Sequence, residues 1–289
     1  MVQVVDETDQ DLRALIARDF GSIPPATDFS VIVLDWMHYR ARLIPRRPRK
    51  VLLSPEVTAH SVRYPAINRI KKELESGGDL APWLSDQIRK RKADPKADLM
   101  FNDWQISHFH LGNVFVNPTK VSRTENGKLL FAHISPERAV LLDVKQHGAW
   151  AMRDLLRVLL RVSPKDMREL KGVLGTQNGD YTDEEIIAAR NSGISLMYKL
   201  EGRFFMSPGL GVSSSQHGTR LVLAYNRLRR EIANVRLDLA ANKISAAVRR
   251  LLASALGQPV RLGVKIEAGQ LVIYDKNRNL LLSVAAALH

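Results

Sequence analysis

The chain has 289 residues, 45% of them hydrophobic and 25% charged, the mix of an ordinary globular protein with length enough for two domains. It has no cysteine, which excludes thiol catalysis, disulfides and cysteine metal sites. Lys and Arg number 43 against 30 Asp and Glu, and the resulting charge of +13 favours a polyanionic partner, because each neutralised phosphate releases counterions.

Three segments follow from changes of pattern: 1–98, 99–162 and 163–289. The first opens with acidic residues where a secretory signal would be basic and then apolar, so export is not expected. No apolar run nears the roughly 20 residues of a bilayer crossing, and a cytoplasmic setting without a membrane partner is expected. "DETDQDLRALIARDFG" reads as a helix, with Leu12, Leu15 and Ile16 apolar and Gly21 as its stop. "FSVIVLDWM" predicts a buried strand, and the proline-broken "RARLIPRRPRK" after it cannot be a regular helix. "AINRIKKELESGG" repeats apolar residues at Ile67, Ile70 and Leu74 and ends on glycines, as a helix does. "APWLSDQIRKRK" predicts another helix, with Pro82 in the first turn and Trp83, Leu84 and Ile88 on one packed face.

In the second segment the period changes to two. "ISHFHL", "KLLFAHI" and "AVLLDVKQH" read as strands. The turn signals "TENGK" and "SPER" make neighbouring strands antiparallel. A helix, "AWAMRDLLRVLLRV", runs to Ser163-Pro164. The third segment begins with an N-capped helix in "DYTDEEIIAARNSG", then a hairpin in "ISLMYKLEGRFFMS" turning at Glu201-Gly202. A long helix follows, striped by Leu221, Tyr225, Leu228, Ile232 and Val235, and a further helix is predicted in "KISAAVRRLLASAL". The last residues alternate as a meander with turns at Ala268-Gly269 and Asn277. The fold class predicted is α+β: an antiparallel sheet over 100–147 flanked by helices, with a small C-terminal β-meander.

On the first of the three strands, Ile106, His108 and His110 point one way while Phe109 and Leu111 point the other. The pattern predicts a sheet with one face on the core and an open face carrying the imidazoles. His147 ends the third strand, on the side of Asp143 and Lys145, where strands open onto loops. Imidazoles can accept and donate a proton in turn, as phosphodiester cleavage requires. They are also common metal ligands, and a divalent metal held by His108, His110 and Asp143 is an alternative to a site that needs no cofactor. His133, in mid-sheet, reads as structural.

Basic residues cluster at Arg46, Arg47, Arg49 and Lys50 and again at Arg89, Lys90, Arg91 and Lys92, two candidate nucleic-acid contacts. "SPGLGVSSSQHGTR", ahead of the long helix, offers an anion-binding loop through Ser213, Ser214, Ser215, His217 and Thr219. The plainer alternative is a surface loop capped by Thr219. No Walker A, GxSxG, HExxH, EF-hand or Rossmann pattern occurs.

The helices followed by "HFHL", "RTENGKLLFAHI" and "AVLLDVKQHGAW" resemble the core of RelE-like toxin ribonucleases over about 80–150. That resemblance implies RNA cleavage on a concave sheet face, with Arg123, His108, His110 and His147 near the scissile phosphate. It rests on strand order, and the chain is several times longer than that core. "HFH" also resembles the metal-holding histidine pair of HUH nucleases, which would make Tyr225, with Arg229, the attacking residue. The stripe makes Tyr225 a core residue instead.

The reading that joins charge and histidines is a cytoplasmic nucleic-acid-directed ribonuclease of toxin or phage-defence type, with RNA or DNA as partner and an acidic inhibitor protein as a second partner. A non-catalytic binding module with structural histidines is the reading from a different class.

Overall fold

A computed structural model of the chain describes residues 3–23, 28–89, 99–124, 126–148, 153–172, 180–213, 217–245, 248, 250–251 and 258–288. Its elements begin with β1 (Val4–Asp6), α1 (Thr8–Phe20), α2 (Phe29–Arg42), β2 (Lys50–Leu53), α3 (Pro55–His60) and α4 (Ala66–Ser76). Two 3-10 turns, Ala81–Trp83 and Asp86–Arg89, precede α5 (Leu99–Trp104) and β3 (Ile106–His110). Next come β4 (Phe115–Asn117), β5 (Lys120–Val121), β6 (Lys128–Ile134), β7 (Arg138–Gln146) and α6 (Arg153–Val162). The remainder is α7 (Asp183–Asn191), β8 (Met197–Leu200), β9 (Arg203–Met206), α8 (Thr219–Ala240), β10 (Val260–Glu267), β11 (Gln270–Asp275) and β12 (Leu280–Ala287). The chain is thus α+β, with mostly antiparallel sheets and a three-stranded antiparallel meander at its end. Two units form, Met1–Ala41 with Leu221–His289 and Arg42–Arg220, and they cut across the three sequence segments.

In the first unit β10, β11 and β12 make the meander, turning at Ala268 and Gly269, both with positive φ. Strand β1, which three residues of sequence did not announce, adds to it parallel to β10. Leu12 and Ile16 on α1 are fully buried, and the Asp11 carboxylate accepts from the Val264 amide at 3.1 Å and the Lys276 ammonium at 2.6 Å. The strand predicted in "FSVIVLDWM" is instead helix α2. Its most deeply buried residues are Ile32, Val33, Trp36 and Met37, a spacing of one and four that a strand cannot bury on one side. An apolar run this short fits either structure, and the Trp36 indole nitrogen, donating to Asp19 at 2.8 Å, ties this helix to α1. Helix α8 buries Leu221, Leu228, Ile232 and Leu239, while Tyr225 and Val235 are only partly covered. The helix predicted in "KISAAVRRLLASAL" lies largely outside the described residues.

In the second unit the sheet order is β2-β7-β6-β3. The β3–β6 and β6–β7 pairs are antiparallel, as the turn signals predict. Strand β2 is an addition: it runs parallel to β7, and its partner is about ninety residues away in sequence. The first three residues of the basic run belong to α2, and irregular chain follows as far as β2. Helix α6 lays Leu155, Leu156 and Leu159 into one core with Ile106, Leu129, Phe131, Val140 and Leu142. The opposite side, with Phe109, Leu130 and Ala132, is buried as well. "APWLSDQIR" forms the two 3-10 turns rather than a helix, yet Trp83, Leu84 and Ile88 are buried as their spacing predicts. Helix α7 starts on a reciprocal cap between Thr182 and Glu185. Its Arg190 forms a buried ion pair with Asp103 of α5 and donates to the Tyr198 hydroxyl at 2.8 Å.

Ser54 joins these layers. Fully buried, its hydroxyl donates to the Leu142 carbonyl at 2.6 Å and accepts from the Val57 amide at 3.0 Å, capping α3. Ser54→Ala leaves both groups unsatisfied, and urea unfolding is expected to show a loss of about 2 kcal/mol.

Candidate histidine site

The register of β3 places His108 opposite Phe131, and His110 opposite Leu129, which faces Lys145 in turn. The histidines therefore lie on the side that α6 covers. His108 and His110 are each 8% exposed, and the whole of β3 is buried. The open face predicted from alternation is not found, because alternation shows which residues share a side but not which element covers it. The His108 ring lies 6.1 Å from Phe131 and 6.5 Å from His110, nearly perpendicular to the latter. Along this side the surroundings grade from the apolar core at Ile106 to charged groups at His110.

Those charged groups arrive by two routes. After β3 the chain leaves as a hairpin of β4 and β5 and returns at Ser122, whose amide donates to the Val114 carbonyl at 2.7 Å. Gly112 permits the return, since a Cβ there would stand 1.8 Å from the Ser122 carbonyl oxygen. The next residue is Arg123, exposed beside the turn in which the Gly127 amide donates to Thr124. The second route is the end of β7. The His147 amide donates to the Gly127 carbonyl at 3.1 Å, and the imidazole stands on the exposed rim.

Electrostatics joins the two routes. Burial, and then the charges of Arg123, His108 and His147, lower the His110 pKa from its ordinary 6.5 to about 4, with Asp86 opposing. Its buried Nε2 has no hydrogen-bond partner among the described residues. The four residues singled out by sequence, His108, His110, His147 and Arg123, thus converge at one end of the sheet. Asp86, which pairs with Lys120 at 2.5 Å, joins them from a 3-10 turn, and no sequence signal marked it.

Other candidates are placed elsewhere. His133 lies at the far end of the same side, where burial lowers its pKa against the pull of Asp166. Asp143 is bound by Lys145 at 2.8 Å and by the Val144 amide at 2.7 Å, with His60 at 3.8 Å. Among the described residues no three His, Asp or Glu side chains are grouped to hold a metal, so His108, His110 and Asp143 are not assembled as one. Arg46, Arg47 and Lys50 are exposed, Arg46 in a pair with Asp79. Arg49 is turned inward instead, its guanidinium donating at 3.0 Å to the carbonyls of Pro45, Arg47 and Ser135, and burial lowers its pKa to about 10. Lys90, Arg91 and Lys92 lie outside the described residues, as does the side chain of Arg89. In the serine loop, Ser214 and Ser215 also lie outside them. Ser213 bonds the His217 carbonyl through both amide and hydroxyl, His217 is buried, and the Thr219 amide already donates to Gly211 at 2.9 Å. Tyr225 is half-buried on α8, with Arg229 paired to Asp9.

No family model matches the chain, and neither a curated protein nor a solved structure matches it.

The lowered His110 pKa has a thermodynamic sign. Between pH 6.5 and 4 the unfolded chain binds a proton at this residue that the folded protein does not, so acidification removes stability. In His110→Gln this loss is absent. Unfolding free energies measured across that window are expected to fall less steeply in the variant, by something on the order of 2 kcal/mol after solvent screening.

Proposed function

We propose that the protein is a nucleic-acid-directed ribonuclease of toxin or phage-defence type that works in the cytoplasm without a metal, at the sheet end formed by His110, His108, His147 and Arg123. The observation that carries this reading is His110: a neutral imidazole whose Nε2 has no hydrogen-bond partner among the described residues, behind exposed Arg123 and His147. A buried polar atom without such a partner asks for a ligand, and an anion beside Arg123 would offset a charge that helps depress this pKa. The proposed substrate is single-stranded RNA with its phosphodiester at Arg123. The 2′-hydroxyl proton passes to His110 as the 2′-oxygen attacks phosphorus, and His147 donates a proton to the departing 5′-oxygen. His108 holds the neighbouring imidazole in place. The charge of +13 supports a polyanionic substrate, and an acidic inhibitor protein would compete for the same surface. The 8% exposure of both strand histidines favours a second reading, nucleic-acid binding without cleavage.

Incubation of the purified protein with labelled single-stranded RNA and DNA, with and without a chelator, separates the two. Cleavage of RNA that survives the chelator is expected, and alanine at His110, His147 or Arg123 should each reduce it by about a hundredfold or more. Retained binding with no cleavage of either strand selects the second reading.

The basic surface is tested by salt. With Arg46, Arg47 and Lys50 all changed to alanine, the slope of log affinity against log salt for a single strand should shrink by about 2, at roughly 0.7 per lost phosphate contact. An unchanged slope would move the binding surface away from residues 46–50.

A further inference from the structure

We infer that the β4–β5 hairpin is a stacking platform for a nucleobase next to the phosphate held at Arg123, an inference that rests on the reading above. Phe115 on β4 is 48% exposed, and its ring meets Trp83 at 5.7 Å and 74°. Trp83 is itself 3% exposed, so a ring fixed by the core braces one side of Phe115 and leaves another side in water. Val114 and Val116 flank it at 65% and 62% exposure, on a hairpin that joins no further strand among the described residues. Phe115 and its two valine neighbours, exposed on opposite faces of one short hairpin by strand alternation, mark an interaction surface.

Charge decides the occupant. Arg69 donates to the Asn113 carbonyl at 2.8 Å at the root of the hairpin, and Arg123 follows two residues after Val121, while Lys120 of β5 is already paired with Asp86. An aromatic face set among cations suits a single strand of nucleic acid, whose phosphates take the charges while a base takes the ring. Register sets the neighbourhood. Phe115 pairs with Val121, the last residue of β5, and Arg123 lies two residues beyond it. A single strand can therefore run from one to the other. A protein segment adding to the edge of β4 would instead depend on its backbone and on Val114 and Val116.

The test uses the whole chain and two uncleavable probes: an eight-residue 2′-O-methyl RNA strand, and the same strand without bases. Fluorescence anisotropy is expected to show the wild type binding the base-bearing strand about tenfold more tightly than the abasic one. Phe115→Leu, which keeps an apolar side chain, should bind both strands at the abasic level. Phe115→Trp should keep the preference, as should the double variant Val114→Thr, Val116→Thr. If the wild type binds both strands equally, or Phe115→Leu keeps the preference, the platform is overturned while the phosphate site stands. A preference lost only in the valine variant overturns it in favour of a protein partner at this edge. If neither strand binds, the platform and the proposed function fall together.

Discussion

The backbone of Gly112 against the carbonyl of Ser122 is the contact on which the candidate site depends. A side chain at residue 112 would drive the two strands apart at the point where the chain leaves β3 and comes back. Because they meet, eleven residues of excursion begin two positions after His110 and close one position before Arg123. The guanidinium charge thereby comes within range of an imidazole that β3 holds in the interior. The same closure sends Phe115 and its valine neighbours outward instead of into the core. One absent methyl group thus sets the electrostatics of the buried histidine and the position of the exposed ring together.

What the sequence made legible was periodic and local. The alternation in "ISHFHL" and "KLLFAHI", the N-capped start of the helix in "DYTDEEIIAARNSG", and the Glu201-Gly202 turn each depend on residues a few positions apart, and each is found. What it hid was long-range. Strand β2 is made by pairing with β7, and three apolar residues, Val51, Leu52 and Leu53, are too few to announce it. Residues 29–37 are apolar enough for a strand or a helix, and α1 decided between them through Asp19 and Trp36. In the site, the shared side of His108 and His110 was legible from a period of two. Their burial was not, because the core on that side of the sheet is closed by α6, some forty-five residues later. Asp86 escaped notice for the same reason: its neighbour is a lysine thirty-four positions on.

Net charge needs the same division between local count and long-range partner. Of the four basic residues at 46–50, Arg49 serves its own loop and Arg46 has Asp79. On α6, Arg161 reaches Glu56 of α3, and Arg153 reaches Asp180. A count of cations therefore overstates the field a polyanion meets, and the excess that remains for it lies with residues such as Arg47, Lys50 and Arg123, which are exposed. Arg49 also shows why a basic cluster is not uniform: removing it would leave carbonyl groups without donors as well as removing a charge.

The buried pair of Asp103 and Arg190 bears on how this unit opens. Helix α5 is six residues long, too short to be stable alone, and it leads straight into the histidine strand. Its carboxylate meets the guanidinium of α7 out of water, so lifting either helix would strand a bare charge in the interior, a penalty of several kcal/mol. Neither helix can fray while the other stays docked. Coupling of this kind would put the backbone amides of α5 and α7 into one cooperative opening event, in which the entrance to β3 opens no faster than a helix some eighty residues downstream.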